Sequence, residues 1–156
     1  MTSVGIGNCG FGFAPCKPED QYRSMLTMTR NEAVPLESMQ EGMPWDWETF
    51  PEFLDSVERT DKGVNIVSYM PLNPLLAYVM GLDAAKSRSA TDAEMAEMKR
   101  LMFEALDAGA CGWSAQLTPV EVEVQLDHDG TPMITNLMSE KDLRSFARVL
   151  REAGRG

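Results

Sequence analysis

Thr2-Ser3-Val4-Gly5-Ile6-Gly7-Asn8-Cys9-Gly10 joins a short β-branched run directly to a turn bracketed by glycines. Such a run predicts a buried strand, and the glycines let the chain turn sharply where it ends. The strand-turn over 2–10 therefore delivers the Cys9 thiol to the C-terminal end of a strand. Three chemistries are open to a thiol so placed. As a nucleophile it needs a basic partner, and the chain holds one histidine, His128. As a zinc ligand it needs two or three further donors, which here come only from carboxylates or other thiols. As a structural cysteine it needs only burial.

Outward from this turn, strands and helices alternate. The loop and helices of 11–60 include a helix over 19–30, with acids first and Arg30 last, as the helix dipole prefers. Residues 32–47 carry Pro35, Gly42, Pro44, Trp45 and Trp47 without a period, and read as an ordered excursion loop anchored by its tryptophans. Thr49 with Glu52 three residues on forms a capping box that starts a helix reaching Arg59. A second strand is expected at 64–69, stopped by Met70-Pro71, followed by one or two helical turns over 74–80. Thr91 and Glu94 cap a helix over 91–109, with Met95, Met98, Leu101, Met102, Ala105 and Leu106 on one face. A third strand at 111–117, a surface hairpin at 121–135 around Asp129-Gly130, and a helix at 139–153 complete the pattern. Alternation of this kind implies parallel strands joined by helical crossovers.

A formal charge of −10, from 24 acids and 14 bases over 156 residues, opposes a surface built to neutralise phosphates, so no nucleic-acid partner is expected. No apolar run reaches the roughly 18 residues that span a bilayer, and residues 1–4 show no leader pattern; the expectation is a soluble, cytoplasmic protein without a membrane partner. Three cysteines without a CxxC pair argue for reduced thiols. Three strand-helix units fall short of the roughly 250 residues of an eight-unit barrel. A strand beginning within two residues of Met1, and a helix stopping at 154–156, give the impression of a piece of a larger barrel.

The run GNCGFGFAPCKPED at 7–20 resembles the N-acyl-D-amino-acid deacylase (D-aminoacylase) family of the amidohydrolase superfamily. The resemblance continues in order through EGMPWDWETF at 41–50, VNIV at 64–67, VMG at 79–81, EALDAGACGWS at 104–114 and DGTPM at 129–133. It implies an α/β fold in the form of a partial (β/α)₈ TIM barrel of the metal-dependent hydrolase type, about three βα units plus a β-hairpin. The implied activity is hydrolysis of carbon-nitrogen bonds other than peptide bonds, in N-acyl-D-amino acids or related small-molecule amides. The implied cofactor is zinc, with Cys9 the one position that inherits a metal-ligand role. The family's other ligands are histidines and an aspartate outside the matched region, so the site is incomplete here and no catalytic residue is assigned. The isolated chain is expected to be inactive, to unfold with weak cooperativity, and to need the remaining barrel segments or self-association.

Two departures bear on substrate preference. Tyr69-Met70-Pro71-Leu72-Asn73 stands where many relatives have a Gly-His pair, and Gly112-Trp113-Ser114-Ala115-Gln116-Leu117 stands where they read GxSTGL. Elsewhere the structural reading is preferred: Cys16 packs a loop, Cys111 is a small buried strand residue, and His128 with Asp127 and Asp129 forms a solvated turn. Most methionines fill core, Trp45, Trp47 and Phe50 pack the excursion loop, and Glu121 and Glu123 line a solvated hairpin face. The alternative to the hydrolase is a small non-catalytic α/β domain that pairs its sheet edge with a partner chain.

Overall fold

A computed structural model describes residues 2–118 and 124–154. Strand β1 (Ser3–Ile6) runs parallel to β2 (Asn65–Ser68), with Ser3 opposite Asn65 and Ile6 opposite Ser68. One residue later β3 (Met70–Pro71) runs parallel to β4 (Trp113–Ser114). Only Tyr69 separates β2 from β3, so the two pairings describe three parallel strands, with β1 and β4 on either side of one interrupted central strand. Met70-Pro71 therefore does not stop the strand. Met70 donates to the Gly112 carbonyl at 2.9 Å, and Pro71, lacking a donor, ends the ladder one residue later.

Between β1 and β2 lie α1 (Gln21–Glu32), α2 (Leu36–Gly42) and α3 (Phe50–Arg59). Between β3 and β4 lie α4 (Leu72–Met80), α5 (Leu82–Ser87) and α6 (Asp92–Ala108). After β4 come the single turn α7 (Ile134–Leu137) and the long α8 (Glu140–Ala153). The caps form as their spacing dictates. Thr49 and Thr91 each accept from the backbone N–H three residues on, and Glu52 and Glu94 reach back to close the box. The core is mainly helical: Leu72, Leu75, Met98, Met102, Leu106, Phe146 and Val149 are buried where α4, α6 and α8 meet. Met70 enters from the central strand and Ile134 from α7.

Several expectations change. The 32–47 excursion is part helix: α2 occupies its middle, with Pro35 at the N-cap position and Met39 buried. Helix α4 starts at Leu72, because a proline in the first turn, Pro74, has no helical partner to lose. Strand 111–117 shrinks to Trp113–Ser114. Among the described residues of the hairpin expected at 121–135, one antiparallel bridge forms, Leu126 to Pro132. Its first arm, with Glu121 and Glu123, lies outside the described residues. Its second arm turns into α7, because Ile134 and Thr135 are buried and Asn73 Oδ1 accepts the Ile134 N–H at 3.0 Å; tertiary burial overrides the alternating pattern. The first strand is sheltered on one face only. Val4 and Ile6 are partly covered, while Ser3 and Gly5 lie open beside the exposed Val67. No helix among the described residues is long and apolar enough to cross a membrane.

Candidate active site

Cys9 sits where the sequence puts it, in the turn leaving β1 at the C-terminal end of the parallel strands. The flanking glycines are required by geometry. Gly7 has φ +81°, and a side-chain carbon there would stand 2.9 Å from the Tyr69 carbonyl oxygen. Gly10 has φ +80°, and its added carbon would stand 2.5 Å from the Ala115 Cα. Neighbouring elements hold the turn from several sides. Asn73 N–H donates to the Gly10 carbonyl at 2.9 Å, Tyr69 N–H donates to Ile6 at 3.1 Å, and the Ser114 hydroxyl donates to the Gly7 carbonyl in a very short contact.

Gly10→Ala is expected to cost about 3 kcal/mol, combining left-handed backbone strain with a backbone clash that no side-chain rotation relieves. Gly81→Ala, at φ +78° with nothing within 4 Å, is the control and should cost about 1 kcal/mol. Urea unfolding of both variants measures the difference, and equal losses would show that the turn is not packed against 115–116.

The half-buried Cys9 thiol points toward the Phe11 carbonyl at 3.8 Å. It borders an apolar cavity of about 280 Å³ shared with Ile6, Phe13, Met28, Phe53 and Tyr69. Tyr69 also lines an open cleft of about 290 Å³ formed with Asn8, Trp113, Ser114 and Ala115. The donor set does not complete a metal site. Among the described residues the only group of three potential ligating side chains within 4.8 Å of one another is Asp127, His128 and Asp129, and Cys9 is not part of it. One thiolate falls short of the three protein ligands that a catalytic zinc takes.

The other candidates separate in space and chemistry. Cys16 is buried with its sulfur 3.6 Å from the Ser24 hydroxyl, and burial pushes its thiol above the ordinary value, which makes it inert. Cys111 is exposed rather than buried, because the chain turns through 110–112 before β4 begins; its thiol donates to the Ser68 carbonyl at 3.2 Å. Trp47 anchors its loop by donating to the Phe13 carbonyl at 2.8 Å and by packing against Trp45 and Phe53.

The turn around His128 is not simply solvated. Asp127 is fully buried and is gripped by Thr27 Oγ1 at 2.6 Å, Lys86 Nζ at 2.9 Å and the His128 backbone N–H at 2.8 Å. Arg23 adds a longer contact at 3.5 Å. Burial alone would raise its pKa, but the hydrogen bonds from Thr27, Lys86 and His128 outweigh that and hold the carboxyl well below the usual range. A lysine ammonium thus takes the place that a metal ion would need at this cluster.

Three parallel strands separated by helical crossovers, with a glycine-bracketed cysteine at their C-terminal end, define an α/β fold, and solved structures share it. N-acyl-D-glutamate deacylase from Bordetella bronchiseptica, solved with zinc and a phosphonate inhibitor, superposes with TM-score 0.68 at 22% identity, over 99% of this chain and 27% of that one. D-aminoacylase, described as defining a novel subset of amidohydrolases, gives TM-score 0.64 at 24% identity over the same shares. In sequence, the D-aminoacylase of Alcaligenes xylosoxydans xylosoxydans is 33% identical over 114 residues, 73% of this chain and 21% of that protein. An uncharacterised protein of Mycobacterium tuberculosis is 29% identical over 162 aligned residues, 99% of this chain and 26% of that protein. No protein-family model matches. The chain is homologous to D-aminoacylase and spans about a quarter of the length of the relatives it matches.

Proposed function

We propose that these residues form part of a zinc-dependent hydrolase that removes the acyl group from N-acyl-D-amino acids or related amides. In this reading the chain supplies about three βα units of a (β/α)₈ barrel, and Cys9 contributes one metal ligand. The observation that carries the proposal is the position of Cys9: a half-buried thiol at the C-terminal end of a parallel strand, where barrel enzymes keep their sites. Two relatives are a D-aminoacylase and an N-acyl-D-aspartate deacylase, and one structural neighbour was solved with zinc. Zinc, when bound, polarises the amide carbonyl and acidifies water. This chain contributes the rigid turn that aims the thiol, and the neighbouring cleft of Asn8, Tyr69, Trp113 and Ser114 for substrate. The remaining metal ligands come from outside these residues.

The test replaces the homologous segment of D-aminoacylase with residues 1–156. The chimaera should retain zinc and hydrolyse N-acetyl-D-leucine, and Cys9→Ser should lower zinc affinity by about tenfold or more. The 156-residue chain alone should bind no stoichiometric zinc and hydrolyse nothing. A folded chimaera whose zinc content ignores Cys9→Ser would overturn the ligand assignment. A chimaera that folds and holds zinc without hydrolysing N-acetyl-D-amino acids would overturn the substrate class.

A second reading has one observation in its favour. The outer edge of β1 has no strand beside it among the described residues, and Thr2–Ile6 carries no charge or proline to block pairing. A non-catalytic domain could use that edge to bind a partner chain, and concentration-dependent sedimentation of the isolated chain distinguishes a self-pairing edge from an inert one.

A further inference from the structure

Two spaces of unlike chemistry meet beside the Cys9 turn. The cavity of about 280 Å³ is walled by Ile6 and Pro71 at the strand ends, Met28 of α1, Phe50 and Phe53 of α3, and Phe13 of the connecting loop. All of these belong to the β1–β2 crossover or to the strands it joins. The space is therefore internal to one strand-helix unit, not a flank that further barrel units would cover. Packed interiors leave few voids larger than a water molecule, so an apolar space of this size is unusual. An apolar cavity of roughly 150 Å³ accepts a six-carbon ring. This one has room for a chain of about six to eight carbons.

The second space is the open cleft of about 290 Å³, where Asn8, Tyr69 and Ser114 supply polar groups. Tyr69 lines both spaces, and Cys9 of the cavity follows Asn8 of the cleft in the chain. The Cys9 turn thus stands where cavity and cleft adjoin. An N-acyl amino acid has two unlike halves on either side of its scissile bond: one carries a carboxylate, the other is an uncharged acyl chain. Among the described residues no lysine or arginine lines the cavity, and the one carboxylate at its wall, the exposed Glu32, repels an anion. Burying the substrate carboxylate there is costly, whereas an apolar chain gains from the same walls. We infer that the cavity takes the acyl chain and the cleft the amino-acid half, so that linear acyl groups of about six to eight carbons are preferred to acetyl. This inference rests on the proposed function and narrows its substrate class.

The experiment compares N-octanoyl-D-leucine with N-acetyl-D-leucine. Each methylene that enters an apolar site is worth about fourfold. Burying about three of those that octanoyl adds should raise kcat/KM of the D-aminoacylase chimaera carrying residues 1–156 by about 50-fold over acetyl. Met28→Trp, checked for unchanged circular dichroism, fills the cavity and should reduce that ratio by about tenfold or more. The substrate pair keeps the test decisive even where the variant fails to fold. Binding is read apart from turnover by ¹⁵N-resolved NMR of the 156-residue chain, where N-octanoyl-D-leucine should shift residues 28, 50, 53 and 69–71 saturably and N-acetyl-D-leucine, at the same concentration, should not. A chimaera that hydrolyses the acetyl substrate as well as the octanoyl one overturns the acyl assignment and leaves the proposed function standing. A chimaera that hydrolyses neither, beside saturable octanoyl shifts at the cavity, overturns the proposed function and supports the cavity as a site for acyl chains. Absence of those shifts, or an octanoyl preference that survives in a folded Met28→Trp chimaera, would also overturn the assignment.

Discussion

Replacing Asp127 by asparagine is expected to lower the stability of the chain by about 4 kcal/mol, a fall in Tm of roughly 10 °C for a domain of this size. The size of the effect follows from what is left behind. Asp127 is buried, and its carboxylate neutralises Lys86 at 2.9 Å and Arg23 at 3.5 Å. An amide of nearly the same volume leaves Lys86 with only the longer contact to Asp129, at 3.6 Å, and Arg23 with only Asp20, at 3.7 Å. The loss is structural as well as electrostatic, because this one side chain ties the 124–133 segment to both α1 and α5. The pH dependence carries the same signature. The folded-state pKa is depressed below the value of about 3.9 for an unfolded aspartate, so the contribution is complete above that pH. It is lost as pH falls further, through the folded-state value, when the carboxyl takes up a proton and the pairing with Lys86 ends. Thermal melts between pH 7 and pH 2 should therefore show the two chains converging at the acid end. A Tm gap below about 2 °C at pH 7 would mean that Asp129 and Asp20 suffice to neutralise Lys86 and Arg23.

None of this network is visible in the sequence. Asp127 and Arg23 lie 104 positions apart, and Asp127-His128-Asp129-Gly130 reads locally as a turn in water. What makes it a buried anchor is the docking of α5 and α1 on the same spot, which no local pattern encodes. The helices that could be read in advance are those whose signals are local. Thr49 with Glu52, and Thr91 with Glu94, define starts, while the apolar positions from Met95 to Leu106 define a face. Helices α2 and α5, of 7 and 6 residues, are too short to show a period, and proline and glycine near α2 disguise it as a loop. The strands were legible only by position, because 4-residue and 2-residue strands carry too few side chains to display alternation. The Cys9 turn is the exception among the site features. Gly7 and Gly10 are demanded by close backbone approach, and that demand appears directly in the sequence as a cysteine between glycines.

Phe146→Ala should cost about 4 kcal/mol, because the ring is fully buried and its removal leaves a cavity that the surrounding helices cannot close. The side chain sits where α8 meets α6, and its carbonyl also accepts the Trp113 indole N–H at 3.2 Å, which joins the helical layer to the sheet through β4. Tyr22→Ala, at a site 55% exposed on α1, is the control and should change stability by less than about 0.5 kcal/mol. The location of the core also orders the hydrogen exchange of the native chain. Amides of α4, α6 and α8 surround residues of near-zero exposure and should exchange only through global unfolding. Among the described residues, β1 pairs on one side only and has one open face, so its amides should exchange faster by local opening. Phe146→Ala should then accelerate exchange in α4, α6 and α8 together, while leaving β1 almost unchanged. If β1 slowed and sped up in step with α6, the sheet and the helical layer would be a single cooperative unit, and the strand carrying Cys9 would be held by the core rather than merely attached to it.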